Sequence, residues 1–301
     1  MTTVVALGGN ALIRAGDRGT AAEQAARLRE TADALAPLLR EGNLVITHGN
    51  GPQVGNELLR QELSADEVPP LPLYLAVAQT QAEIGSMIET ELGPAAGRPV
   101  SCLLTHVVVE EDDPAFERPT KPIGPFYSSE QAKTLESERG WQLVEETGRG
   151  WRRVVPSPTP LEIVEADQVR ALLAAGTVPV ACGGGGIPVV RRGGRLHGVD
   201  AVIDKDRASA VLAAELGAGR LVILTDVPAV KRAFGTPDEE EIRKLTAAEA
   251  AELLPELAEG SMRPKVEAAV AMARSGGKAI ITSLEGVEAA LQGEAGTKIE
   301  A

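Results

Sequence analysis

Two lysines of this sequence stand at the start of predicted helices, where a positive charge is unexpected. Lys205 follows Asp204 in "GVDAVIDKDRASA", and Lys265 follows Pro264 in "GSMRPKV". Aspartate caps helices and proline favours the first turn, so both lysines are predicted to lie in a first turn. A lysine there opposes the helix dipole unless a bound anion compensates its charge. The pair therefore predicts a binding site for a negatively charged ligand.

A third lysine, Lys121, lies in the least typical segment of the chain, "PTKPIGPFY". The sequence has few large rings, yet one short segment holds Phe116, Phe126, Tyr127, Trp141 and Trp151. Four prolines surround the lysine: Pro114, Pro119, Pro122 and Pro125. We predict that residues 110–157 form a small inserted subdomain, with these rings as its core. The alternative is an ordinary subdomain in which Lys121 is merely exposed.

The acidic and imidazole side chains near these lysines have simpler interpretations. Asp204 is expected to cap a helix and Asp206 to lie in its first turn. His48 precedes a glycine loop and could be a general base, but a structural role is favoured. The three histidines have no metal-ligand spacing, and the "EEDD" run at residues 110–113 is expected to be a solvated face.

Four junctions that contain glycine are expected to follow strands, and they could hold phosphate groups. Glycine at a strand-to-helix junction lets backbone N–H groups converge on an anion, although such glycines also simply make tight turns. No P-loop and no complete GxGxxG occurs, so any phosphate must be held in another way. The junctions are "LGGNAL" (7–12), "THGNGPQVG" (47–55), "CGGGGIPVV" (182–190) and "GSMRPKV" (260–266).

Short apolar runs that alternate with amphipathic stretches must position these residues. The runs are apolar on both faces, which indicates an α/β protein with a mainly parallel sheet covered by helices on each side. In such a sheet, ligands bind at the carboxyl ends of the strands. The runs are "TVVAL" (3–7), "LVIT" (44–47), "VPVAC" (178–182), "LVILT" (221–225) and "KAIIT" (278–282).

The composition narrows the function classes. A length of 301 residues allows a large core, and a net charge of −13 argues against nucleic acid or an anionic membrane as partner. Cys102 and Cys182 form no CxxC pair and are expected to be small apolar residues in strands. Such use of cysteine fits a reducing compartment. The N-terminus does not resemble a signal peptide, and no run is long enough to span a membrane. We therefore expect a cytoplasmic protein.

Seven segments together resemble the signature segments of carbamate kinases, within the amino acid kinase family. The resemblance runs in order from about residue 4 to residue 283, and the proline-rich segment around Lys121 is its most specific part. The segments are "ALGGNAL", "THGNGPQVG", "DPAFERPTKPIGPFY", "RRVVPSPTPLEIVE", "ACGGGGIPVV", "GVDAVIDKDRASA" and "GSMRPKV".

The resemblance implies one amino acid kinase domain over residues 1–301, a three-layer αβα sandwich with a small inserted lid at about 110–157. Residues 1–175 would be the acceptor-binding lobe and residues 176–301 the nucleotide-binding lobe, usually in a homodimer. The implied reaction is ATP + carbamate ⇌ ADP + carbamoyl phosphate, with Mg²⁺ held mainly by the nucleotide phosphates and water. Such enzymes commonly form ATP during the breakdown of arginine or other ureides.

The resemblance also implies a role for each site residue. Lys205 and Lys265 would bind nucleotide phosphates, Asp206 would orient both lysines, and the lid would bring Lys121 to the acceptor. The transferred phosphoryl group and the carbamate would be held by Gly8, Gly9, Asn10, Gly49, Asn50, Gly51, Gly184 and Gly185. The nucleotide would contact Thr225, Asp226, Met262, Pro264 and Lys265.

Three positions depart from the expected pattern. Ala82 and Ser86 stand where carbamate kinases tend to carry Gly and Tyr, and Ala233 where Asn is common. A kinase of the same superfamily with another acceptor is an alternative. Against it, the first loop lacks the lysine of carboxylate kinases, and Asn56 stands where isopentenyl phosphate kinases carry a histidine. A sensing module would be expected to lose some of the charged site residues, and a dehydrogenase lacks its fingerprint.

Overall fold

The computed structural model describes residues 1–14, 17–40, 42–146, 148, 150–258 and 260–301, apart from the side chain of Asn10. The strands of this part of the chain are β1 (Thr2–Leu7), β2 (Asn43–His48), β3 (Val100–Cys102), β4 (His106–Val108), β5 (Lys121–Tyr127), β6 (Leu143–Glu146), β7 (Gly150–Val155), β8 (Glu162–Ile163), β9 (Val178–Val180), β10 (Ile187–Arg192), β11 (Arg195–Gly198), β12 (Arg220–Thr225), β13 (Val230–Arg232), β14 (Glu240–Ile242), β15 (Lys244–Thr246), β16 (Lys278–Ser283) and β17 (Thr297–Glu300).

The helices follow the strands as expected for an α/β chain. They are α1 (Ala21–Arg40), α2 (Gly51–Leu63), α3 (Leu73–Ala96), α4 (Ser129–Arg139), α5 (Ala166–Ala174), α6 (Lys205–Glu215), α7 (Ala247–Leu253), α8 (Met262–Arg274) and α9 (Val287–Gln292). Short 3-10 turns occupy Gly9–Ala11, Pro114–Phe116, Gly183–Gly185 and Leu254–Glu256. Among the described residues, no helix is both long and apolar enough to cross a bilayer.

A mainly parallel sheet of eight described strands forms the middle layer. Its order is β15-β17-β16-β12-β1-β2-β9-β3, and only the β16–β17 pair is antiparallel. Successive residues of β1 enter two different cores, because side chains alternate across a strand. Val4 and Ala6 pack with α6 and α8, whereas Val5 and Leu7 pack with α1 and α3. The predicted three-layer αβα fold is therefore confirmed.

Local sequence explains where the helices begin. Asp204 caps α6 through its side chain, as predicted. Ser128 with Gln131 at α4, and Thr246 with Glu249 at α7, form capping boxes that satisfy backbone N–H groups in the first turn. In α1, Leu28, Ala32, Leu35 and Leu39 recur at helical spacing and are buried.

The inserted segment contains a separate sheet with the order β5-β7-β6, which we call the lid sheet (β5, β6 and β7). Its base is apolar, since Ile123 and Val155 pack against Val54 of α2 and Val202. Tyr127 and Trp141 meet edge to face with ring centroids 6.1 Å apart. Phe116, however, packs against the core of the main sheet, so the expectation of a single five-ring core is wrong for this residue.

Two further expectations need correction. The junction at Gly260 follows the turn Leu254–Glu256 and not a strand, because α7 lies between it and β15. Cys102 lies in β3 as predicted, but Cys182 lies beyond β9 with a left-handed backbone (φ 50°), where the chain turns into its glycine run. Across residue 175, β9 pairs with β2 and β3 in the central sheet.

Candidate active site

A cavity of about 800 Å³ lies at the carboxyl ends of β1, β2, β9 and β12. Parallel strands bring their following loops to one edge of the sheet, so residues far apart in sequence meet there. The helices α6 and α8 also begin at this edge. Predicted site residues that line the cavity are Gly9, Gly49, Asn50, Gly51, Lys121, Gly184, Lys205, Asp206, Thr225, Asp226 and Lys265.

Asp206 holds two of the lysines together. Its Oδ1 atom accepts a hydrogen bond from Lys205, and its Oδ2 atom accepts one from Lys265 at 2.9 Å. Both lysine side chains are at most 15% exposed, and the Asp206 side chain is 2% exposed. One buried carboxylate thus fixes two ammonium groups that come from different helices.

In this largely buried cluster, the opposite charges of the aspartates and lysines offset part of the cost of burial. Burial alone would raise the pKa of the Asp206 carboxyl, but Lys205 and Lys265 outweigh it and lower the pKa. Burial likewise opposes the charge of Lys265, yet Asp206 and Asp204 raise the pKa of its ammonium. For Lys205 burial prevails over Asp206 and lowers the pKa. An anion bound in the cavity would favour the charged form of both lysines.

Lys121 reaches the same cluster from the lid sheet. Its Nζ atom donates to Asp204 Oδ2 at 2.5 Å, and the two side chains are 25% and 9% exposed. Burial opposes ionisation of Asp204, but Lys121 and then Lys205 lower the pKa of its carboxyl far below the usual range. Asp204 was expected only to cap α6, and no feature of the sequence pointed to its pairing with Lys121.

The glycine run after β9 allows a close backbone approach to Asn50. Gly184 has φ 65°, and a Cβ atom there would lie 2.2 Å from Asn50 Nδ2. Asn50 also donates through Nδ2 to Thr80 Oγ1 of α3 at 2.9 Å. A larger residue at position 184 would strain the backbone and displace Asn50, because L residues rarely adopt this conformation.

The start of a helix and the start of a 3-10 turn also line the cavity. Gly51 begins α2, and the first N–H groups of a helix have no partner within the helix. Gly9 begins the 3-10 turn that follows β1. Both positions suit an anion, since oriented N–H groups and the positive end of a helix dipole favour negative charge.

The lid sheet and α2 form the opposite wall. Phe126 and Arg152 line the cavity there, with the guanidinium of Arg152 placed 5.2 Å from the Phe126 ring centroid. Arg152 also donates through Nε to the carbonyl of Gly124 at 3.1 Å. Gly124 lies directly against Gly55 of α2, where an added Cβ would come within 1.9 Å of the Gly124 Cα atom.

Ion pairs connect α2 to β7 of the lid sheet and to α4. Glu62 of α2 pairs with Arg139 and, at 3.4 Å, with Arg153. Both guanidinium groups also lie over Trp141, that of Arg153 at 4.5 Å from the ring centroid. Helix α2 is therefore in contact with the lid sheet and α4 along much of its length.

His48 is not among the residues that line the cavity. It is fully buried, and its Nδ1 lies 3.0 Å from the carbonyl of Gly49. Burial lowers its pKa to about 4, assisted by the nearby charge of Lys205. His48 is therefore neutral at physiological pH, and its placement matches the structural role favoured from the sequence.

Some predicted residues lie beside the cavity without lining it. These are Gly8, Gly185, Met262 and Pro264, each adjacent or nearly adjacent in sequence to a residue that does. The backbone of Asn10 is part of the turn Gly9–Ala11, and its side chain lies outside the described residues. Sequence reasoning missed Arg14, Arg18, Arg152 and Ser261, which line the cavity. Arg152 and Ser261 lie within two of the quoted segments but were given no role, and Arg14 and Arg18 lie in none of them.

The three departures from the expected pattern lie outside the cavity. Ala82 and Ser86 are exposed on α3. Ala233 has φ 46°, a left-handed conformation that asparagine tolerates better than alanine. In the described chain, no cluster of three or more His, Cys, Asp or Glu side chains could hold a metal ion.

Comparison with known proteins yields a consistent set of relatives. The model of the amino acid kinase family matches residues 1–283. A carbamate kinase of Halobacterium salinarum is 47% identical over 305 residues, covering 99% of this chain and 97% of the relative. Carbamate kinase from Giardia lamblia bound to citric acid has a TM-score of 0.93 and 38% identity, covering 99% of this chain and 98% of that one. The Giardia enzyme bound to AMP-PNP gives a TM-score of 0.89 at the same identity and coverage.

Proposed function

Because this chain belongs to the amino acid kinase family and, within it, to the carbamate kinases, we propose that it catalyses ATP + carbamate ⇌ ADP + carbamoyl phosphate. The observation that carries the proposal is the cluster of Lys121, Lys205 and Lys265 around one cavity, held by two aspartates. Phosphoryl transfer depends on positioning and charge neutralisation, and this cluster can supply both.

The three lysines act at different ends of the transferred group. Lys205 and Lys265 bind phosphate oxygens of the nucleotide, while Asp206 orients them and takes no proton. Thr225, Asp226, Met262 and Pro264 form the nucleotide side. A relative with AMP-PNP bound supports the use of ATP or ADP here.

Backbone groups complete the cradle. We assign the N–H groups of Gly8, Gly9 and Asn10 to the transferred phosphoryl group. The turn Gly49–Gly51 holds the carbamate end, with Gly184 and Gly185 behind it. The contact between Gly184 and Asn50 supports this assignment, because it fixes the glycine run after β9 against the turn Gly49–Gly51.

The chemistry needs no general base. An oxygen of carbamate, which is already anionic, attacks the terminal phosphorus of ATP, and the bond from that phosphorus to the bridging oxygen of ADP breaks. No proton has to move, which agrees with a cavity that His48 does not line. The negative charge that builds up during transfer is balanced by the three ammonium groups.

Neither of the two buried aspartates of the cluster is available to magnesium. The oxygens of Asp204 and Asp206 already accept hydrogen bonds from lysines or backbone N–H groups, so neither carboxylate is offered to a metal. We propose that Mg²⁺ is held mainly by nucleotide phosphates and water, where it would neutralise phosphate charge.

The lid sheet closes the acceptor end. Lys121 approaches from this sheet, and the proline-rich arm around it excludes water that would otherwise hydrolyse the phosphoryl group. We further propose a 110–157 lid within an acceptor lobe (1–175), a nucleotide lobe (176–301), a homodimer, a cytoplasmic location, and ATP synthesis during arginine or ureide breakdown.

The test is ATP formation from ADP, Mg²⁺ and carbamoyl phosphate, detected with hexokinase and glucose-6-phosphate dehydrogenase. Wild type should form ATP rapidly. Lys205→Ala should lose about 10² or more in rate, by comparison with the loss of one charged donor. Lys133→Ala, which removes an exposed lysine of α4, is the matched control and should act like wild type. Absence of ATP from a protein that binds ADP would refute carbamate as the acceptor but leave kinase chemistry on another acceptor.

A further inference from the structure

The carboxylate of Asp204 joins two parts of the cavity wall. Its Oδ1 atom accepts from the backbone N–H groups of Asp206 at 2.9 Å and Arg207 at 3.4 Å, at the start of α6. Its Oδ2 atom accepts from Lys121 Nζ at 2.5 Å. Lys121 is the first residue of β5, so this single side chain connects the lid sheet to α6.

Capping alone does not require a charged residue here. Serine, threonine and asparagine cap helices about as well as aspartate, through one oxygen. A buried carboxylate is costly unless it is paired, and Asp204 is only 6% exposed. The second carboxylate oxygen of Asp204 accepts a hydrogen bond from Lys121. This ion pair explains why a charged residue stands at a position where capping alone does not require one.

We propose that Asp204 is a positioning residue that fixes the ammonium group of Lys121 relative to Lys205 and Asp206 at the start of α6. This inference rests on the proposed function. An ammonium group has three donors, so the bond to Asp204 leaves two for oxygens of the substrate. Without Asp204, the flexible side chain of Lys121 would have to be ordered during each catalytic cycle.

A double-mutant cycle separates positioning from capping. Asp204→Asn keeps the capping oxygen and removes the charge, while Lys121→Met removes the lysine at similar size. We expect Asp204→Asn to lower kcat/KM for carbamoyl phosphate by about 10²-fold in wild type, the cost of a misplaced group of this kind. In the Lys121→Met background the same change should have little effect. Equal losses in both backgrounds would mean that Asp204 only caps α6.

Stability and nucleotide binding supply the controls. Asp204→Asn should keep the ADP affinity and melting temperature close to wild type. Thr246→Ala removes a capping hydroxyl from α7, away from the cavity, and measures how far the loss of a cap alone lowers the melting temperature. If Asp204→Asn lost as much stability as Thr246→Ala and its kinetic loss were additive, the positioning role would be refuted.

A readout without catalysis keeps this inference distinct from the proposed function. Acetylation of lysines, followed by mass spectrometry, reports how strongly each ammonium group is paired. Asp204→Asn should raise the acetylation rate of Lys121 several-fold and leave that of the exposed Lys133 unchanged. Wild type that forms no ATP would refute the proposed function alone, whereas an unchanged rate at Lys121 would refute the pairing whatever the reaction.

Discussion

Replacing Gly55 by alanine should disable the site from a position outside the cavity. Gly55 lies in α2, and an added Cβ would be 1.9 Å from the Cα atom and 2.1 Å from the N atom of Gly124. Both are backbone atoms, so no rotamer change relieves the overlap. Ordinary contacts of this kind begin at 3.4 Å, so β5 and α2 must separate by at least about 1.5 Å.

This displacement acts directly on Lys121. Gly124 and Lys121 lie in the same strand, three residues apart, so a shift of that size also moves Lys121 relative to Asp204, which it now contacts at 2.5 Å. A misplacement of roughly 1 Å can cost about 10² in rate. We therefore expect kcat/KM for ATP formation to fall about 100-fold in Gly55→Ala, with ADP binding retained. The overlap should cost about 1–3 kcal/mol of stability, partly offset by about 1 kcal/mol of helix propensity.

Gly85→Ala is the matched control for this prediction. It makes the same change inside a helix, α3, and its Cβ would meet Cys102 Sγ at 2.1 Å, outside the cavity. We expect a lower melting temperature but kcat/KM close to wild type. Both variants are compared by thermal denaturation and by the coupled assay. If Gly55→Ala lost no more activity than Gly85→Ala, the claim that the lid contact positions Lys121 would fail.

Two further predictions concern stability. The pKa of His48 is lowered from an ordinary 6.5 to about 4. Between these two values the unfolded chain binds a proton that the folded chain excludes. This group alone should therefore lower the free energy of unfolding by about 2 kcal/mol as the pH falls from 7 to 5. Urea titrations at pH 5 and pH 7 should show a weaker pH dependence of the free energy of unfolding in His48→Gln than in wild type, and equal slopes would contradict the assignment. Ala233→Gly should raise the melting temperature, because glycine avoids the steric cost of roughly 1 kcal/mol that alanine has in the left-handed conformation. Ala82→Gly in α3 should lower the melting temperature, because glycine costs roughly 1 kcal/mol more than alanine within a helix. A lower melting temperature in Ala233→Gly would contradict the strain at this position.

The sequence predicted those features that depend on local pattern. Strands with apolar side chains on both faces were recognisable because burial on two sides requires such runs, and β1 shows the alternation between two cores directly. Lys205 in the first turn of α6 and the cap of that helix were recognisable because each has a short-range signature in the chain.

Contacts between distant parts of the chain could not be predicted. Lys121 and Asp204 are 83 positions apart, and the spacing of residues contains no information on which carboxylate a distant lysine will meet. The approach of Gly55 to Gly124 is similar, since a glycine in a helix looks merely unfavourable until its neighbour is known. The position of Phe116 could not be predicted for the same reason: it is close to the other rings in sequence but packs on the main core in the fold.

The position of β1 in the sheet has a consequence for biosynthesis. β1 leaves the ribosome long before β12, its neighbour on one side, which pairs with it from Thr3 with Arg220 to Ala6 with Ile223. At typical translation rates of about 5–20 residues per second, some 10–40 s separate the two strands. During that time one edge of an apolar strand has no hydrogen-bonding neighbour, a state prone to aggregation. A chaperone that covers this edge until β12 is made would lower that risk.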